Sequence, residues 1–580
     1  MLENLTAKTI KNCTEEELEV LCEELRETIF QTVIKRGGHL ASNLGAIEST
    51  VAMFRVFDFP KDKVVFDVGH QCYAYKLLSD RYDRFDTLRQ KGGISGFPKR
   101  DESEYDSYNT GHAGTSISAA LGIAKARDLK KENFQVIAYI GDGSFQNGLV
   151  YEALNSLKVL QTKILIILND NDMSISPTVG GMHDVLSRIK GQNGEESVRL
   201  LESFGLKYIG VKDGNNVGEM VDALTQAKQL LETDCVLLHI ATQKGKGYAF
   251  SEEHPTHTHG VSAIGANVET EYSQVLGETL CSLAKTNENI TIVTAAMKES
   301  LGLSAFFDNY PTRAFDVGIC EENAAVLCSA MAVGGLKPYY AVYSTFLQRA
   351  FDEIIHDVCS QDLPVTFCID RAGIVGADGE THQGVFDLSY LSLVPNLTIA
   401  VPKDTEEFKQ MLAFSATFDH PLAIRYPRTG EVVFSQEKSS ICVGEWEYLH
   451  RAMDAENARV SVIACGERSL LMAMEALRFA QQDGNDFNVI NARFVKPLDL
   501  KMLKSLQSEY IITIEDNVCI GGLGASINHV LTRLEKTCKV KNFAYKDTFI
   551  PHGKVTELQK EYGVDVEELQ KYIQRVLQVK

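Results

Sequence analysis

The sequence lacks any apolar run long enough to cross a bilayer. Its longest runs, such as ILIIL at 164–168, are far shorter than the roughly 20 residues that a membrane-spanning helix needs. The first residues lack the apolar stretch of a signal peptide, and Thr14 and Glu17 instead fit a capping box that opens a helix. We therefore expect a globular protein with no membrane partner and a cytoplasmic address.

Positive charge and paired cysteines are also scarce. The 13 cysteines are scattered without a CxxC pair, as expected for reduced thiols, and Cys328, Cys368 and Cys465 are predicted core residues. The formal net charge of −20 argues against a nucleic-acid binder. An anionic substrate would therefore need locally placed arginines.

What the sequence does contain is an alternation of strand-like runs with helical patterns, which indicates parallel α/β layers. Polar stretches at 251–270 and 429–445 suit linkers, although part of the second could pair as an edge hairpin. We therefore predict α/β domains at 1–262, 268–432 and 440–580. The predicted strands are VVFDV (64–68), VIAYI (136–140), ILIIL (164–168), VLLHI (236–240), ITIV (290–293), FDVGI (315–319), YYAVY (339–343), VTFCI (365–369), VSVIA (460–464), FNVIN (487–491) and YIITI (510–514).

A glycine-rich turn, GDGSFQNG at 141–148, directly follows one of these strands. A helical pattern comes next, and the following strand ends in NDND at 169–172. In such a βαβ unit, Asp142 and Asn171 lie at the carboxyl edge of neighbouring strands, where ligands bind. Asp142, the Asn171 side-chain oxygen and the Met173 carbonyl could therefore hold a magnesium ion that bridges to a diphosphate.

The turn also has a plainer interpretation, in which the glycines only allow close packing and Asp142 caps the helix. It lacks the lysine of a GxxxxGK[ST] phosphate loop and the spacing of a GxGxxG dinucleotide loop. GDG alone does not separate the two interpretations. NDN at the end of the next strand favours the magnesium–diphosphate site.

The two motifs resemble the cofactor motif of thiamin-diphosphate enzymes, and further blocks in all three predicted domains resemble 1-deoxy-D-xylulose-5-phosphate synthases. The run 343–391 is specific within this superfamily, because transketolases and 2-oxo-acid dehydrogenase E1 components share the cofactor motif but not these residues. The blocks are DVGHQCYAYKLL (67–78), GGISGFPKR (92–100), YSTFLQRAFDEIIHDV (343–358), DRAGIVGADGETHQGVFDLSYL (370–391), RYPR (425–428) and RFVKPLD (493–499).

The resemblance implies three doubly wound α/β domains of the transketolase-like fold. They would be a diphosphate- and Mg²⁺-binding domain (1–262), a pyrimidine-binding domain (268–432) and a transketolase C-terminal-like domain (440–580). It implies a homodimeric transferase that uses thiamin diphosphate and Mg²⁺ to condense pyruvate with D-glyceraldehyde 3-phosphate. The products would be CO₂ and 1-deoxy-D-xylulose 5-phosphate, which opens the non-mevalonate isoprenoid route and is a source for thiamin and pyridoxal.

The resemblance also implies roles for individual residues. Glu321 would hydrogen-bond the aminopyrimidine ring of the cofactor, and His39, His70 and His382 would complete the catalytic set. The implied cofactor contacts are His70, Gly111, His112, Ala113, Gly143, Ser144, Asn171, Tyr248 and Glu321, and the implied metal ligands are Asp142, Asn171 and Met173. The implied substrate contacts are His259, Tyr343, Arg349, Arg371, Asp378, His382 and Arg428.

Several of these residues have plainer interpretations when they are taken alone. Glu321 could be an ordinary acid at a helix start, and each loop arginine could form a surface salt bridge. HPTHTH at 254–259 could be a metal cluster, but we interpret it as a loop because it has no cysteine partner. GGLGAS at 521–526 is interpreted as a structural turn without a ligand.

Some positions depart from the family pattern. Asn323 and Asn215 replace usual histidines, Ala113 replaces a serine, and the segment after Val179 is shorter than in relatives. The enzymatic alternative is a transketolase, which would transfer a two-carbon unit without pyruvate. The non-enzymatic alternative is a paralogue kept for assembly or regulation.

Overall fold

The computed structural model describes residues 7–174, 177–191, 194–262, 270–430, 432–434, 440–455 and 458–578. The chain divides into two compact units, which we name unit 1 (1–267 with 318–320) and unit 2 (268–317 with 321–580). Within the described ranges, every helix is too short or too polar to reach across a lipid bilayer.

Unit 1 contains a parallel sheet flanked by helices. Its strands are β1 (Lys63–Phe66), β2 (Val136–Gly141), β3 (Leu165–Asp170), β4 (Leu206–Asp213) and β5 (Cys235–Ala241). They lie in the order β1-β2-β3-β5-β4. The helices are α1 (Ala7–Ile10), α2 (Glu15–Arg36), α3 (Ala41–Leu44), α4 (Ile47–Val56), α5 (Tyr73–Leu78), α6 (Ser116–Lys130), α7 (Gly148–Leu160), α8 (Gly181–Lys190), α9 (Glu195–Glu202), α10 (Val217–Leu230) and α11 (Ala249–Glu253).

Strand β2 shows why this sheet is covered on both faces. Ile137 and Tyr139 belong to one apolar cluster, which includes side chains of α2, α4 and α10. Ala138 and Ile140 belong to another cluster, which includes side chains of α6 and α7. Because successive side chains of a strand point to opposite faces, a strand that is apolar throughout is buried on both. The sheet therefore presents only its edges and strand ends for ligand binding.

Unit 2 contains two larger sheets and a short strand pair. The strands are β6 (Thr270–Glu271), β7 (Ile290–Thr294), β8 (Ala314–Asp316), β9 (Lys337–Tyr343), β10 (Thr366–Asp370), β11 (Thr398–Ala400), β12 (Leu422–Arg425), β13 (Thr429–Gly430), β14 (Glu447–His450), β15 (Val460–Ala464), β16 (Asn488–Asn491), β17 (Phe494–Lys496), β18 (Tyr510–Val518) and β19 (Lys539–Tyr545). The helices are α12 (Tyr272–Ala284), α13 (Ser304–Asn309), α14 (Glu321–Val333), α15 (Ser344–Leu347), α16 (Phe351–Glu353), α17 (Asp387–Ser392), α18 (Thr405–Ser415), α19 (Glu467–Gln482), α20 (Leu500–Ser505), α21 (Leu523–Arg533), α22 (Val555–Tyr562) and α23 (Val566–Gln578).

The sheets of unit 2 are mostly parallel. One has the order β17-β11-β12-β10-β9-β7-β8, another has the order β14-β16-β15-β18-β19, and β13 pairs with β6. Strand β17 belongs to the predicted third domain, yet it pairs antiparallel with β11 of the predicted second domain. This shared sheet joins the two segments in one compact unit. The division near 432–440 therefore stays a prediction.

The predicted α/β class is confirmed, and every predicted strand overlaps an observed one. The capping box is also confirmed, because Thr14 Oγ1 accepts a hydrogen bond from Glu17 N (3.3 Å) and Glu17 Oε2 accepts one from Thr14 N (2.8 Å). All of the cysteines are free, and Cys328, Cys368 and Cys465 are buried as predicted. The sequence did not predict the observed strands β4, β6, β11, β12, β13, β14, β17 and β19, because they are short, half-exposed or lack a clear apolar run.

The predicted linker at 251–270 is wrong for its described part. Residues 249–253 form α11, and Ser251 and Thr258 are buried. Thr258 O accepts a hydrogen bond from Ala41 N (3.0 Å), so this segment packs within unit 1. Residues 263–269 lie outside the described residues. In the second predicted linker, Thr429–Gly430 pairs with distant β6 rather than forming a local hairpin, and 431 and 435–439 lie outside the described residues.

Candidate functional site

In unit 1, the GDGSFQNG turn lies beside the end of the neighbouring strand, as the βαβ pattern predicts. Gly141 is the register partner of Asn169, and Asp142 N donates to Asn169 O at 3.1 Å. Helix α7 begins only at Gly148, where the Asn147 side chain accepts a hydrogen bond from Leu149 N (3.1 Å). A short 3₁₀ turn at Ser144–Gln146 separates the GDG residues from α7. The GDG turn is thus distinct from the helix N-terminus, which its own asparagine caps.

The Asp142 carboxyl group is buried at this turn with little to neutralise it. Its side-chain Oδ2 accepts a weak hydrogen bond from Thr178 Oγ1 (3.4 Å). Burial, followed by the nearby Asp170 carboxylate, raises the pKa of Asp142 to about 8, whereas Lys244 acts in the opposite direction. A buried carboxylate in this setting is stabilised by a cation.

The other two predicted metal ligands lie in the turn after β3. Asn171 is half-buried, and its Oδ1 accepts a hydrogen bond from Met173 N at 3.2 Å. Among the described residues, no group of three or more His, Cys, Asp or Glu side chains could hold a metal ion. The donor set here is instead one carboxylate with amide and carbonyl oxygens, and Mg²⁺ suits such a set because substrate phosphates and water complete its shell.

Lys244 is a residue of this region that the sequence reasoning missed. It is buried, donates a hydrogen bond to Ser174 O, and has its pKa lowered to about 8 by burial, opposed by Asp142. The signal available was its place in KGKGY, four residues before the predicted cofactor contact Tyr248. Tyr248 itself is 40% exposed, and its ring lies 4.2 Å from that of Phe30.

The predicted cofactor contacts at 111–113 are held in place by a buried aspartate. Asp67 lies directly after β1 and accepts hydrogen bonds from Gly114 N (2.8 Å) and Ser116 N (3.0 Å), at the start of α6. Gly111 and Ala113 are buried and His112 is half-buried. Asp67 was not predicted from the sequence, although it is the first residue of the block DVGHQCYAYKLL. Because its carboxylate accepts hydrogen bonds from Gly114 N and Ser116 N, Asp67 fixes the backbone that directly follows 111–113.

Three predicted histidines converge in unit 1, although they come from distant parts of the chain. The ring centroids of His39, His70 and His259 are 5.3–5.5 Å apart. The Asn43 side chain joins two of their loops, because its Nδ2 donates to His39 O and His70 O, both at 2.7 Å. Removal from water, with Lys244, His70 and His39 nearby, holds the pKa of His259 well below its ordinary value. A neutral imidazole at this position can accept or donate a hydrogen bond.

In unit 2, Glu321 is the first residue of α14 and is 2% exposed. Among the described residues its Oε2 has no hydrogen-bond partner, and Arg349 Nη1 lies 3.7 Å from it. Burial raises the pKa of Glu321 to about 7, opposed by Arg349. A buried carboxyl oxygen without a partner is costly and is explained when a ligand supplies the hydrogen bond.

A cavity of about 140 Å³ in unit 2 brings together the remaining predicted substrate contacts. Its lining includes Tyr343, Arg371, Asp378, His382 and Arg428. The Arg371 guanidinium lies 3.8 Å above the Tyr343 ring, which orients it. Since a water molecule takes about 30 Å³, this cavity has room for a group as large as a phosphate. Arg349 is absent from the lining and lies beside Glu321 instead.

The cavity also contains Arg468, which the sequence reasoning missed. It lies in the predicted third domain, outside the segment 343–428 that carries the predicted contacts of this cavity, and GERSLL has no pattern that indicates a ligand contact.

The structure also shows the surroundings of two residues that depart from the family pattern. Asn215 donates to Glu48 Oε2 (3.0 Å) and accepts from Gln243 N (2.6 Å), which supports the segment before Lys244, and Asn323 is exposed.

Family models match three stretches of the chain. Residues 2–199 and 192–242 match the model described as 1-deoxy-D-xylulose-5-phosphate synthase. Residues 269–430 match transketolase, pyrimidine binding domain, and residues 450–569 match transketolase, C-terminal domain. These matches cover most of the chain and fall in the order that the sequence predicts.

Curated relatives named 1-deoxy-D-xylulose-5-phosphate synthase align over nearly the whole chain. The protein from Clostridium beijerinckii is 44% identical, covering 98% of this chain and 98% of its own, and the one from Clostridium tetani is 42% identical with the same coverage. Among solved structures, a transketolase from Campylobacter jejuni is 19% identical with a TM-score of 0.44, covering 97% of this chain and 99% of its own. A split gene transketolase, described as an inactive beta4 tetramer, is 24% identical with a TM-score of 0.48, covering 54% and 100%.

Proposed function

The chain belongs to the 1-deoxy-D-xylulose-5-phosphate synthase family, and we propose that it condenses pyruvate with D-glyceraldehyde 3-phosphate to CO₂ and 1-deoxy-D-xylulose 5-phosphate. It is a thiamin-diphosphate-dependent transferase. The observation that carries the proposal is its similarity to synthases of this name over nearly its whole length. The geometry of each unit supports it.

In unit 1, the residues fit the diphosphate end of the cofactor and a magnesium ion. Asp142, Asn171 and the Met173 carbonyl would hold Mg²⁺, and Gly143, Ser144 and the loop 111–113 would contact the diphosphate. A side chain at Gly143 would bring its Cβ within 2.9 Å of Ser174 Cβ, so glycine keeps the two turns in close approach. The buried Asp142 carboxylate supports the Mg²⁺ assignment because it is stabilised by a cation.

When bound, thiamin diphosphate supplies a nucleophilic carbon and accepts the electron pair that is left when the 2-oxo acid loses CO₂. Glu321 of unit 2 would hydrogen-bond the cofactor through its buried Oε2. With its pKa raised to about 7, this carboxyl group can hold or release a proton near neutral pH. Arg349 would keep the ionised form accessible, since it lowers that pKa.

The cavity of unit 2 would bind the phosphate of the aldehyde acceptor. One arginine guanidinium group can donate hydrogen bonds to two oxygens of the same phosphate. Arg371 and Arg428 both line this cavity. Asp378 and His382 line the same cavity and would contact the polar groups of the acceptor. In unit 1, His39, His70 and His259 would serve proton transfer and substrate contact, as their convergence supports.

A two-donor assay tests the proposed reaction. The purified protein with thiamin diphosphate and Mg²⁺ is given either pyruvate or xylulose 5-phosphate together with D-glyceraldehyde 3-phosphate, and products are identified by mass spectrometry. We expect CO₂ and 1-deoxy-D-xylulose 5-phosphate from the pyruvate arm only. Turnover in the xylulose 5-phosphate arm alone would indicate a transketolase, and failure to bind the cofactor would favour a non-catalytic paralogue.

The proposal extends to three properties of the whole protein: a homodimeric state, a cytoplasmic location and a three-domain division at 1–262, 268–432 and 440–580. Light scattering after size-exclusion chromatography tests the dimer, and a monomeric mass would contradict it.

A further inference from the structure

Arg468 brings a third arginine to the acceptor cavity from an unexpected part of the fold. It lies in the first turn of α19, a helix that packs against the sheet formed by β14, β16, β15, β18 and β19. The sequence analysis predicts no ligand for this part of the chain. Arg371 and Arg428, by contrast, follow strands β10 and β12 of the other sheet. The cavity is therefore completed by a residue from outside the segment that carries the predicted substrate contacts.

The position of Arg468 is well defined. Its Nη1 donates to Ile374 O (3.1 Å) and to Asp516 Oδ2 (2.6 Å). Asp516 Oδ1 in turn accepts hydrogen bonds from Ile374 N (3.1 Å) and Tyr545 OH (2.9 Å). The Arg468 side chain is 26% exposed, and it lines the cavity. These contacts orient the guanidinium at the cavity wall, so less conformational entropy is lost when it meets an anion.

The charge of the lining shows what the third arginine adds. Arg371, Arg428 and Arg468 oppose two carboxylates, Asp378 in the lining and Asp516, which pairs with Arg468 (2.6 Å). Without counting His382, these groups have a net charge of +1, which favours an anion. Replacing Arg468 by a neutral residue would leave them with no net charge, within a protein whose formal net charge is −20. A phosphate placed there would then be stabilised less.

We propose that Arg468 contacts the acceptor phosphate and sets the preference of the site for a phosphorylated aldehyde over an unphosphorylated one. The inference rests on the proposed function for the identity of the acceptor. It adds to that function a specificity-determining residue from the segment that begins near residue 440.

The test compares Arg468→Met with Arg478→Met, which removes the same charge from an exposed position on the same helix. The holoenzyme is assayed with pyruvate and either D-glyceraldehyde 3-phosphate or D-glyceraldehyde. For Arg468→Met, we expect kcat/KM to fall roughly 10- to 100-fold with the phosphorylated aldehyde, as for one lost hydrogen bond to a charged group, and to change less than about twofold with the other. Arg478→Met should change neither value.

If kcat/KM of Arg468→Met fell equally with both aldehydes, or did not fall, the proposal would be overturned, because a purely structural role would not distinguish the two acceptors. Arg468→Lys should recover part of the preference, because it restores the charge without the planar fork.

Calorimetric titration of inorganic phosphate into the holoenzyme separates this inference from the proposed reaction. If the wild-type protein makes no product, the reaction proposal fails. The inference still requires that the wild type bind phosphate at least about tenfold more tightly than Arg468→Met. Equal affinity, or no binding to either protein, would refute it.

Discussion

Two glycine-rich turns in this protein look alike in sequence but differ in what occupies them. GDGSFQNG begins at the last residue of β2 in unit 1, and GGLGAS continues into the first turn of α21 in unit 2. In unit 2, Glu515 of β18 fills the helix N-terminus, because its carboxylate accepts hydrogen bonds from Leu523 N (2.7 Å) and Gly524 N (2.9 Å). In unit 1, burial, followed by the nearby Asp170 carboxylate, raises the pKa of Asp142.

A glycine-rich turn by itself therefore does not indicate a ligand. The backbone amides of such a turn attract an anion, and a carboxylate of the same chain can be that anion. Glu515 is such an internal anion for α21, so the turn at 521–526 has no need of a ligand. Asp142 receives a backbone hydrogen bond from Gly143 but also lies near the Asp170 carboxylate, so its carboxylate is suited to a cation.

Replacing Asp142 should have the largest effect, on the binding of the cofactor. We expect Asp142→Ala to weaken Mg²⁺-dependent binding of thiamin diphosphate roughly 1,000-fold or more, because the proposed metal site would lose its carboxylate. Calorimetric titration measures the affinity. The matched control is Asp222→Ala, which removes an exposed carboxylate on α10 of unit 1, away from the proposed metal ligands in the chain. Unchanged affinity in Asp142→Ala would refute the metal role.

Replacing Glu515 should affect stability instead of binding. Glu515→Ala leaves two buried amide groups at the start of α21 without an acceptor, so we expect the free energy of unfolding to fall by about 4 kcal/mol. Urea denaturation monitored by circular dichroism measures this change. Cofactor affinity should stay within about twofold of the wild type under native conditions. If Glu515→Ala were stable but no longer bound the cofactor, the turn at 521–526 would have to be a ligand site, which would contradict our interpretation.

The stability of the protein should also depend on pH through Glu515. Burial raises the pKa of Glu515 from 4.5 to about 7, opposed by the amide hydrogen bonds. The stability that this group contributes is therefore fully present below about pH 4.5 and is lost as the pH rises through about 7. We expect a loss of about 3 kcal/mol across this interval in the wild type. Parallel urea titrations of Glu515→Gln should lack this contribution, and identical pH profiles would show that Glu515 does not titrate there.

Replacing one glycine in each turn by alanine should have smaller effects, and the two variants can be compared directly. A Cβ at Gly143 would approach Ser174 Cβ to 2.9 Å, whereas one at Gly522 would approach Glu515 Oε2 to 2.1 Å. We expect Gly143→Ala to weaken cofactor affinity about tenfold, and Gly522→Ala to lower unfolding stability by about 1 kcal/mol. Calorimetry and urea denaturation measure both variants, and a reversed pattern would contradict the assignment of the two turns.

The local features of the fold could be predicted because their causes lie within a few residues. The βαβ unit around GDGSFQNG depends on an apolar run, a turn and a helical pattern that are contiguous in the chain. The pairing of β17 with β11 could not be predicted, because β17 is only three residues long and its partner lies almost a hundred residues earlier. Part of the predicted linker at 251–270 is structured for a similar reason, since its contacts are with 38–41.

The candidate site divides in the same way. The sequence alone placed Asp142 and Asn171 on neighbouring strand ends, since parallel βαβ topology brings those ends together. Resemblance to the family singled out Glu321 and the arginines, but nothing in the sequence distinguishes Glu321 from Glu322. The structure distinguishes them, because Glu321 is buried whereas Glu322 is half-buried.

By itself, then, the amino-acid sequence determined the α/β class and the family, and it predicts the magnesium–diphosphate site, because each depends on short patterns that can be recognised without knowledge of distant contacts. The tertiary structure decided that His39, His70 and His259 converge, that Glu515 binds the amide groups at the start of α21, and that Arg468 lines the cavity of unit 2. The physical reason is that side-chain burial, pKa and charge balance depend on neighbours in space, and those neighbours come from remote segments of the chain.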